Sequence, residues 1–156
     1  GLRSLIVQSL HPLAMAGVAQ HSDYRRRPLE RLQRTSHYVA ATAFGDTPTI
    51  GAGPYARNGV CAVSCTGQGE IFIRRVVAYD VAARMSYPGQ TLDQATDALV
   101  SGELPAYRIG AGPVAIDAAG RVHAPFNTLG MARGWIGTVG MINVATHKDV
   151  LRMGAA

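Results

Sequence analysis

The sequence predicts an α+β fold in which helices cover one face of an antiparallel sheet. Three observations carry this. Residues 59–65 form an apolar run of strand length, residues 71–85 and 92–104 then carry helical spacing, and GPVAIDAAGRVHAPFN has the pattern of a β-hairpin. At 156 residues the chain holds one core of ordinary size, or two small pieces that share one.

Taken in order, the first 44 residues have helical character. Leu2, Leu5, Ile6 and Leu10 recur at helical spacing before Pro12 disturbs the turn, and Leu32, Ser36, Val39 and Ala43 share a side of a second stretch that begins after Pro28. The texture changes at GDTPTIGAGPY, where three glycines and two prolines in eleven residues mark a boundary and divide the chain into 1–44 and 45–156. In the strand that follows, Val60, Ala62 and Ser64 face one side, and Cys61, Val63 and Cys65 the other. The two cysteines lie about 13 Å apart along such a strand and cannot bridge to each other.

Between Ile71 and Met85, Glu70, Arg74, Asp80 and Arg84 gather on one side of a helix, with Phe72, Val76, Tyr79 and Ala83 on another. Glu70 with Arg74, and Asp80 with Arg84, are favourable i,i+4 pairs. Pro88-Gly89 closes this element. Thr91 caps the next helix, Leu92 to Leu104, which Pro105 follows. In the hairpin, Val114 and Ile116 alternate outward, Asp117-Ala118-Ala119-Gly120 turns, and Val122 and Ala124 alternate on the return. Beyond Gly134 the pattern is too weak to assign an element.

Composition excludes several function classes. The net charge of +5 is local: residues 1–44 carry six arginines against Asp23 and Glu30, whereas the rest carries eight arginines and Lys148 against eight acids. An arginine cluster at 25–27 without a recognition motif reads as a solvated face, so no nucleic-acid partner is expected. No apolar run reaches the 18 residues that a membrane span needs, and the first residues lack the order of a secretory signal, so the expectation is a cytoplasmic protein without a membrane partner. His11, His21 and His37 fit no compact ligand spacing, so neither a metal nor a cofactor is expected.

One stretch asks for chemistry. In SCTGQGE, residues 64–70, a hydroxyl, glycines and a carboxylate interrupt the apolar texture between strand and helix. Such a bend leaves backbone N–H groups uncovered and able to face a cleft, or it is a tight turn in which Thr66 caps the helix and Asp46 is a turn residue.

The phrases GDTPTIGAGPYA, AVSCTGQGEIFIR, AYDVAARMSY, IGAGPVAIDAAGRV and PFNTLGMARG, in this order, resemble the C-terminal half of the isoaspartyl peptidase and plant-type L-asparaginase family over residues 45–134. These are N-terminal nucleophile (Ntn) hydrolases that cleave β-aspartyl amides. The resemblance implies a partial αββα sandwich, here preceded by the N-terminal helical segment. It implies that the Thr66 hydroxyl and the Gly67 N–H stabilise the oxyanion of the attacked amide, and that Gly67 and Gly69 leave room for substrate. It also implies that Asp46 holds the substrate α-ammonium. The implied ligand is asparagine or a β-aspartyl dipeptide.

The sequence departs from the family in three places. No Thr-Val-Gly strand opening, whose threonine is the nucleophile, occurs in residues 1–44; Ala43 stands where an arginine would grip the substrate α-carboxylate; Gln68 replaces a small hydroxyl residue. Gly137-Thr138-Val139-Gly140 repeats the nucleophile tetrapeptide at the opposite end, which makes Thr138 a weak candidate. The expectation is a hydrolase-like domain that is inactive or nearly so alone and that self-associates or needs a complementing chain.

Residues 1–44 resemble something else. HPLAMAGVAQHSDYR and RLQRT are similar to the start of the oxygenase-like family that includes the latex-clearing and mycophenolic-acid-pathway proteins, some of which bind haem. The chain thus reads as a chimeric junction near residues 43–46, with an oxygenase-like haem-protein fragment or a non-catalytic α+β remnant as the alternative functions.

Overall fold

The structure, a computed structural model, describes residues 4–9, 16–21, 32–35, 49–136 and 141–153. Its strands, in chain order, are β1 (Ser4–Ser9), β2 (Ala16–His21), β3 (Leu32–Thr35), β4 (Pro54–Arg57), β5 (Cys61–Gly67), β6 (Ala111–Asp117), β7 (Val122–His123), β8 (Ala132–Ile136), β9 (Ile142–Ala145) and β10 (Leu151–Met153). Three α-helices, α1 (Gly69–Arg75), α2 (Val77–Ser86) and α3 (Leu92–Asp97), stand between β5 and β6.

Two antiparallel sheets result. One has the order β4-β5-β6-β7, the other β10-β9-β8-β1-β2-β3. The alternation of β5 decides how the layers stack. Cys61, Val63 and Cys65 join Phe72, Val77, Val81, Leu92 and Leu99 in a core under the helices. Ala62 on the opposite face joins Val114, Ile116 and Met131, with Phe126 and Trp135 packed beside them. Strand β2 lies against β5 and β3 against β4. The described residues therefore form a helix layer, a four-stranded sheet and a six-stranded sheet, which is the mixed α+β arrangement of a partial sandwich.

The hairpin follows expectation. Gly120, at φ +85°, completes the turn, and the buried Asp117 carboxylate accepts from the backbone N–H groups of Ala119 and Arg121, both at 2.9 Å, and from Arg121 Nε at 2.7 Å. Thr91 caps α3 as expected, in a reciprocal box with Gln94. Beyond Asp97 the backbone loosens into a π-helical turn, Ala98–Glu103, and a 3₁₀ turn, Leu104–Tyr107, rather than continuing as an α-helix. Asp80 and Arg84 pair as the spacing implied, and both Arg84 and Arg75 reach Glu103 from the preceding helices.

Two expectations need correction. The helices assigned to the first segment give way, at each of its described residues, to strands β1, β2 and β3. Ile6, Val7 and Val18 are β-branched, and β1 finds partners on both sides, with Val7 in register with Val18 of β2 and Gly134 of β8. Pairing with strands remote in sequence overrides the local helical spacing. The remainder of residues 1–48, Asp46 included, and residues 137–140, which hold Thr138, lie outside the described residues.

The second correction is that the helix over 71–85 breaks at Val76, where φ 49° and ψ 47° place a β-branched residue in the left-handed region. A loop from residues 49–53 causes the break. Its carbonyls at Gly51 and Ala52 accept the N–H groups of Tyr79 (2.8 Å) and Ala78 (3.1 Å), donors that a continuous helix would direct to its own preceding turn. The tail beyond Gly134, to which the sequence assigned no element, supplies β9, β10 and the end of β8. Both cysteines are buried and are not bridged to each other, as the spacing implied. Among the described residues no helix is long and apolar enough to cross a membrane.

Candidate functional site

The candidate site is the bend at the C-terminal end of β5. Ladder parity fixes which way each backbone group points there. Cys65 N–H donates to the carbonyl of Gly53, toward β4, at 2.8 Å, so its alternate neighbours Ser64 and Thr66 turn their amide groups toward β6 and Gly67 turns its own back toward the β4 side. The far strand agrees: Ala111, register partner of Gly67, spends its N–H on Asn127 Oδ1 (2.7 Å) and its carbonyl on Asn127 N–H (3.1 Å). The Gly67 N–H is thus left out of the β5–β6 ladder, and β4 begins only at Pro54, whose register partner is Ser64. Among the described residues it has no acceptor.

Gly67 is also sterically required. It sits at φ +156°, and a Cβ there would lie 2.4 Å from Phe72 Cε2 and 2.8 Å from the carbonyl oxygen of Gly110. The tight fold of β5 onto α1 leaves no space for a side chain. Further along, the N–H groups of Ile71 and Phe72 donate to the carbonyl of Gln68 at 3.1 and 3.2 Å and are not available. The residue that caps α1 is Gln68, without a side-chain cap bond, and Thr66 lies within the strand. That removes the reading of Thr66 as a helix cap.

Ser64 and Thr66 occupy successive positions on the face of β5 that looks toward the six-stranded sheet. Thr66 is 9% exposed, and its hydroxyl has no partner among the described residues; Ser64 is 1% exposed, and its hydroxyl is likewise without a partner. Thr66, Gly67 and Gly69 lie together where β5 turns into α1. Asp46 and Thr138 fall outside the described residues, so their distance from this bend is not defined. Among the described residues no group of His, Cys, Asp and Glu could hold a metal ion.

The structure adds residues that the sequence reading did not single out. Asn127 fixes the PFN segment against β6, with Nδ2 donating to the carbonyls of Ile109 (3.1 Å) and Val100 (3.4 Å) while Oδ1 accepts from Ala111. This places Phe126 over Gly112, the register partner of Thr66. Arg133, on β8, is 7% exposed and lies 4.9 Å over the Phe126 ring. Its Nη1 donates to the carbonyl of Met131 at 3.0 Å. Burial lowers the pKa of this guanidinium below its ordinary value. On the helix side, burial pushes the Cys61 thiol up to about 12, with Asp117 adding to the shift, so the thiol stays neutral.

Residues 43–146, two thirds of the chain, match the asparaginase family model. The chain belongs to the asparaginase family. Within it, the chain is 53% identical over 91 residues to an isoaspartyl peptidase of Escherichia coli, a stretch that covers 58% of this chain and 28% of that protein. It is 44% identical over 101 residues to a probable isoaspartyl peptidase/L-asparaginase 2 of Arabidopsis thaliana, covering 65% and 30%. It is 37% identical over 94 residues to a plant-type L-asparaginase of Pyrobaculum calidifontis, covering 58% and 30%. The chain spans less than a third of the length of these curated relatives. In the asparaginase family model the match extends past Gly134 to residue 146, so β8 and β9 belong to the same unit as the SCTGQGE bend.

Proposed function

We propose that this chain carries the oxyanion-binding part of a β-aspartyl amide hydrolase of the L-asparaginase or isoaspartyl dipeptidase type. The observation that carries the reading is the pair of donors at one bend that have no acceptor among the described residues, the Thr66 hydroxyl and the Gly67 N–H. When a nucleophile adds to an amide carbonyl, negative charge collects on the carbonyl oxygen. Two fixed donors in a water-poor space stabilise that oxygen more than they stabilise the neutral amide. Collapse of the adduct then expels the amine, protonated by the general base, and water releases the acyl group. Gly67 and Gly69 let the substrate approach the backbone, and the Asp46 carboxylate is the natural partner for its α-ammonium.

The nucleophile is the weak point. Nothing in residues 1–44 spells the Thr-Val-Gly opening of an N-terminal threonine nucleophile, and donors without an attacking group give only residual catalysis. The 156 residues are therefore proposed to be inactive or nearly so alone, and to act with a complementing chain or a second copy. The cytoplasm, where the substrate is a free amino acid or small peptide, fits this role.

The test is ammonia release from asparagine, and aspartate release from a β-aspartyl dipeptide, by the purified chain with and without a complementing segment that begins at a threonine. The complemented protein is expected to turn over, and Thr66→Ala to lower kcat by about a hundredfold to a thousandfold, the range for removing one oxyanion donor. Undiminished turnover in Thr66→Ala would overturn the oxyanion assignment. Turnover by the chain alone that disappears in Thr138→Ala would make Thr138 the nucleophile.

A further inference from the structure

We infer that Asn127 is a positioning residue for the bend at the end of β5: its side-chain amide holds both peptide groups that flank Gly110, and so aims the Gly110 carbonyl at Gly67. What this positioning serves rests on the hydrolase reading; the grip itself rests on the geometry of the PFN segment against β6.

Ile109-Gly110-Ala111 leads into β6, and Pro125-Phe126-Asn127 runs beside that entrance. Asn127 Oδ1 accepts the Ala111 N–H at 2.7 Å, while Nδ2 donates to the carbonyls of Ile109 at 3.1 Å and Val100 at 3.4 Å. A primary amide has two N–H donors and one carbonyl, so every group of this side chain is engaged. The backbone N–H of Asn127 adds a further bond, to the Ala111 carbonyl at 3.1 Å.

The side-chain bonds to Ile109 and Ala111 fall on successive peptide units. The Ile109 carbonyl belongs to the unit before the Gly110 α-carbon, and the Ala111 N–H to the unit after it. Within a trans unit the C=O and N–H point in opposite directions and turn only together. Tying the Ala111 N–H to Asn127 therefore sends the Gly110 carbonyl the other way, toward Gly67, where that oxygen would stand 2.8 Å from an added Cβ. Thr128, the next residue of the same segment, closes the other flank, since a Cβ on Gly110 would meet Thr128 Cγ2 at 2.6 Å.

Removing the grip frees the Gly110–Ala111 unit to rotate and takes its carbonyl away from the Gly67 α-carbon. Gly67 then regains the wide backbone range of a glycine, and nothing fixes the direction of its N–H. A donor to developing charge works by being in place beforehand, and a displacement of about 1 Å can cost a hundredfold in rate. Asn127 touches neither donor of the bend and acts on it only through Gly110.

The test has a kinetic arm on the complemented protein and a structural arm on the chain alone. With the complementing segment, Asn127→Ala is expected to lower kcat by about tenfold to a hundredfold while KM stays within about twofold, as for a contact made only in the transition state. Asn127→Asp, which keeps an acceptor for the Ala111 N–H, should lose less. In the chain alone, the amide resonance of Gly67 in a proton–nitrogen correlation spectrum should shift in Asn127→Ala. Thr91→Ala, which removes the cap of α3, is the control: a lower unfolding midpoint with kcat and the Gly67 resonance unchanged. A folded Asn127→Ala with the wild-type kcat, or with an unmoved Gly67 resonance, overturns the inference, because a merely structural Asn127 would behave like Thr91. Should Asn127→Ala not fold, Asn127→Asp is judged by the same two readouts. The two readings fail separately: no turnover by any complemented chain sinks the hydrolase, and the Gly67 resonance in the chain alone then decides for or against Asn127.

Discussion

Gly67 shows how much a single position can be asked to do. Its N–H is left unpaired by the ladder while its α-carbon is wedged between the Phe72 ring and the Gly110 carbonyl, so the same tight turn that presents the donor forbids a side chain. Gly67→Ala is expected to cost about 1–3 kcal/mol in denaturant unfolding, the range for overpacking a filled site. Cys61 makes a pH prediction. Its folded-state pKa, about 12, lies above the ordinary 9.0 because burial disfavours the thiolate. The unfolded chain therefore loses this proton first as pH rises, so the contribution to stability is full below pH 9 and is lost progressively between about 9 and 12. Cys61→Ala should flatten that alkaline fall in a series of melting curves, and the native thiol should resist alkylation at neutral pH. The residue that the sequence hid is Arg133. In PFNTLGMARGW a lone arginine among glycines reads as solvated, and only the packing of β8 over Phe126 buries it.

At the scale of elements, the local signals were legible wherever they were self-contained. The hairpin turn, the Thr91 cap and the two faces of β5 depend on residues within a few positions of one another, and each is found where the pattern put it. The break at Val76 was not legible, because it is imposed by a loop some 25 residues earlier that takes the donors of Ala78 and Tyr79. Left-handed backbone costs a residue with a Cβ roughly 1–2 kcal/mol, and a β-branched one at least that. Val76 is half-exposed, so little packing is lost on truncation. Val76→Gly is therefore expected to stabilise the protein, by about 0.5–1 kcal/mol once its lost contacts are allowed for, as read by the shift in denaturation midpoint. A shift of the opposite sign would mean that the valine is held by contacts worth more than its strain. The strands of the tail escaped notice for a different reason: in β9 the inward positions are Asn143 and Ala145 while Ile142 and Val144 point out, an inversion of the usual polarity.

For the whole molecule, the α+β class and the family were readable, whereas the second sheet was not, since its strands come from both ends of the described chain and meet only in three dimensions. That sheet carries exposed apolar side chains on its outer surface, Ile142, Val144 and Leu151 among them. Surfaces of this kind seek cover. Concentration-dependent self-association is the expected behaviour in sedimentation experiments, and Val144→Lys with Leu151→Lys should shift the population toward monomer; a chain that stays monomeric at high concentration would argue against it. The register of β1 between β2 and β8 has one more consequence, for biosynthesis. Because β1 precedes β8 by more than a hundred residues, it has to wait until residues 132–136 have left the ribosome before its second neighbour exists. Over that interval the nascent chain carries a β2–β1 ribbon with an open flank, and chaperone engagement should be concentrated there.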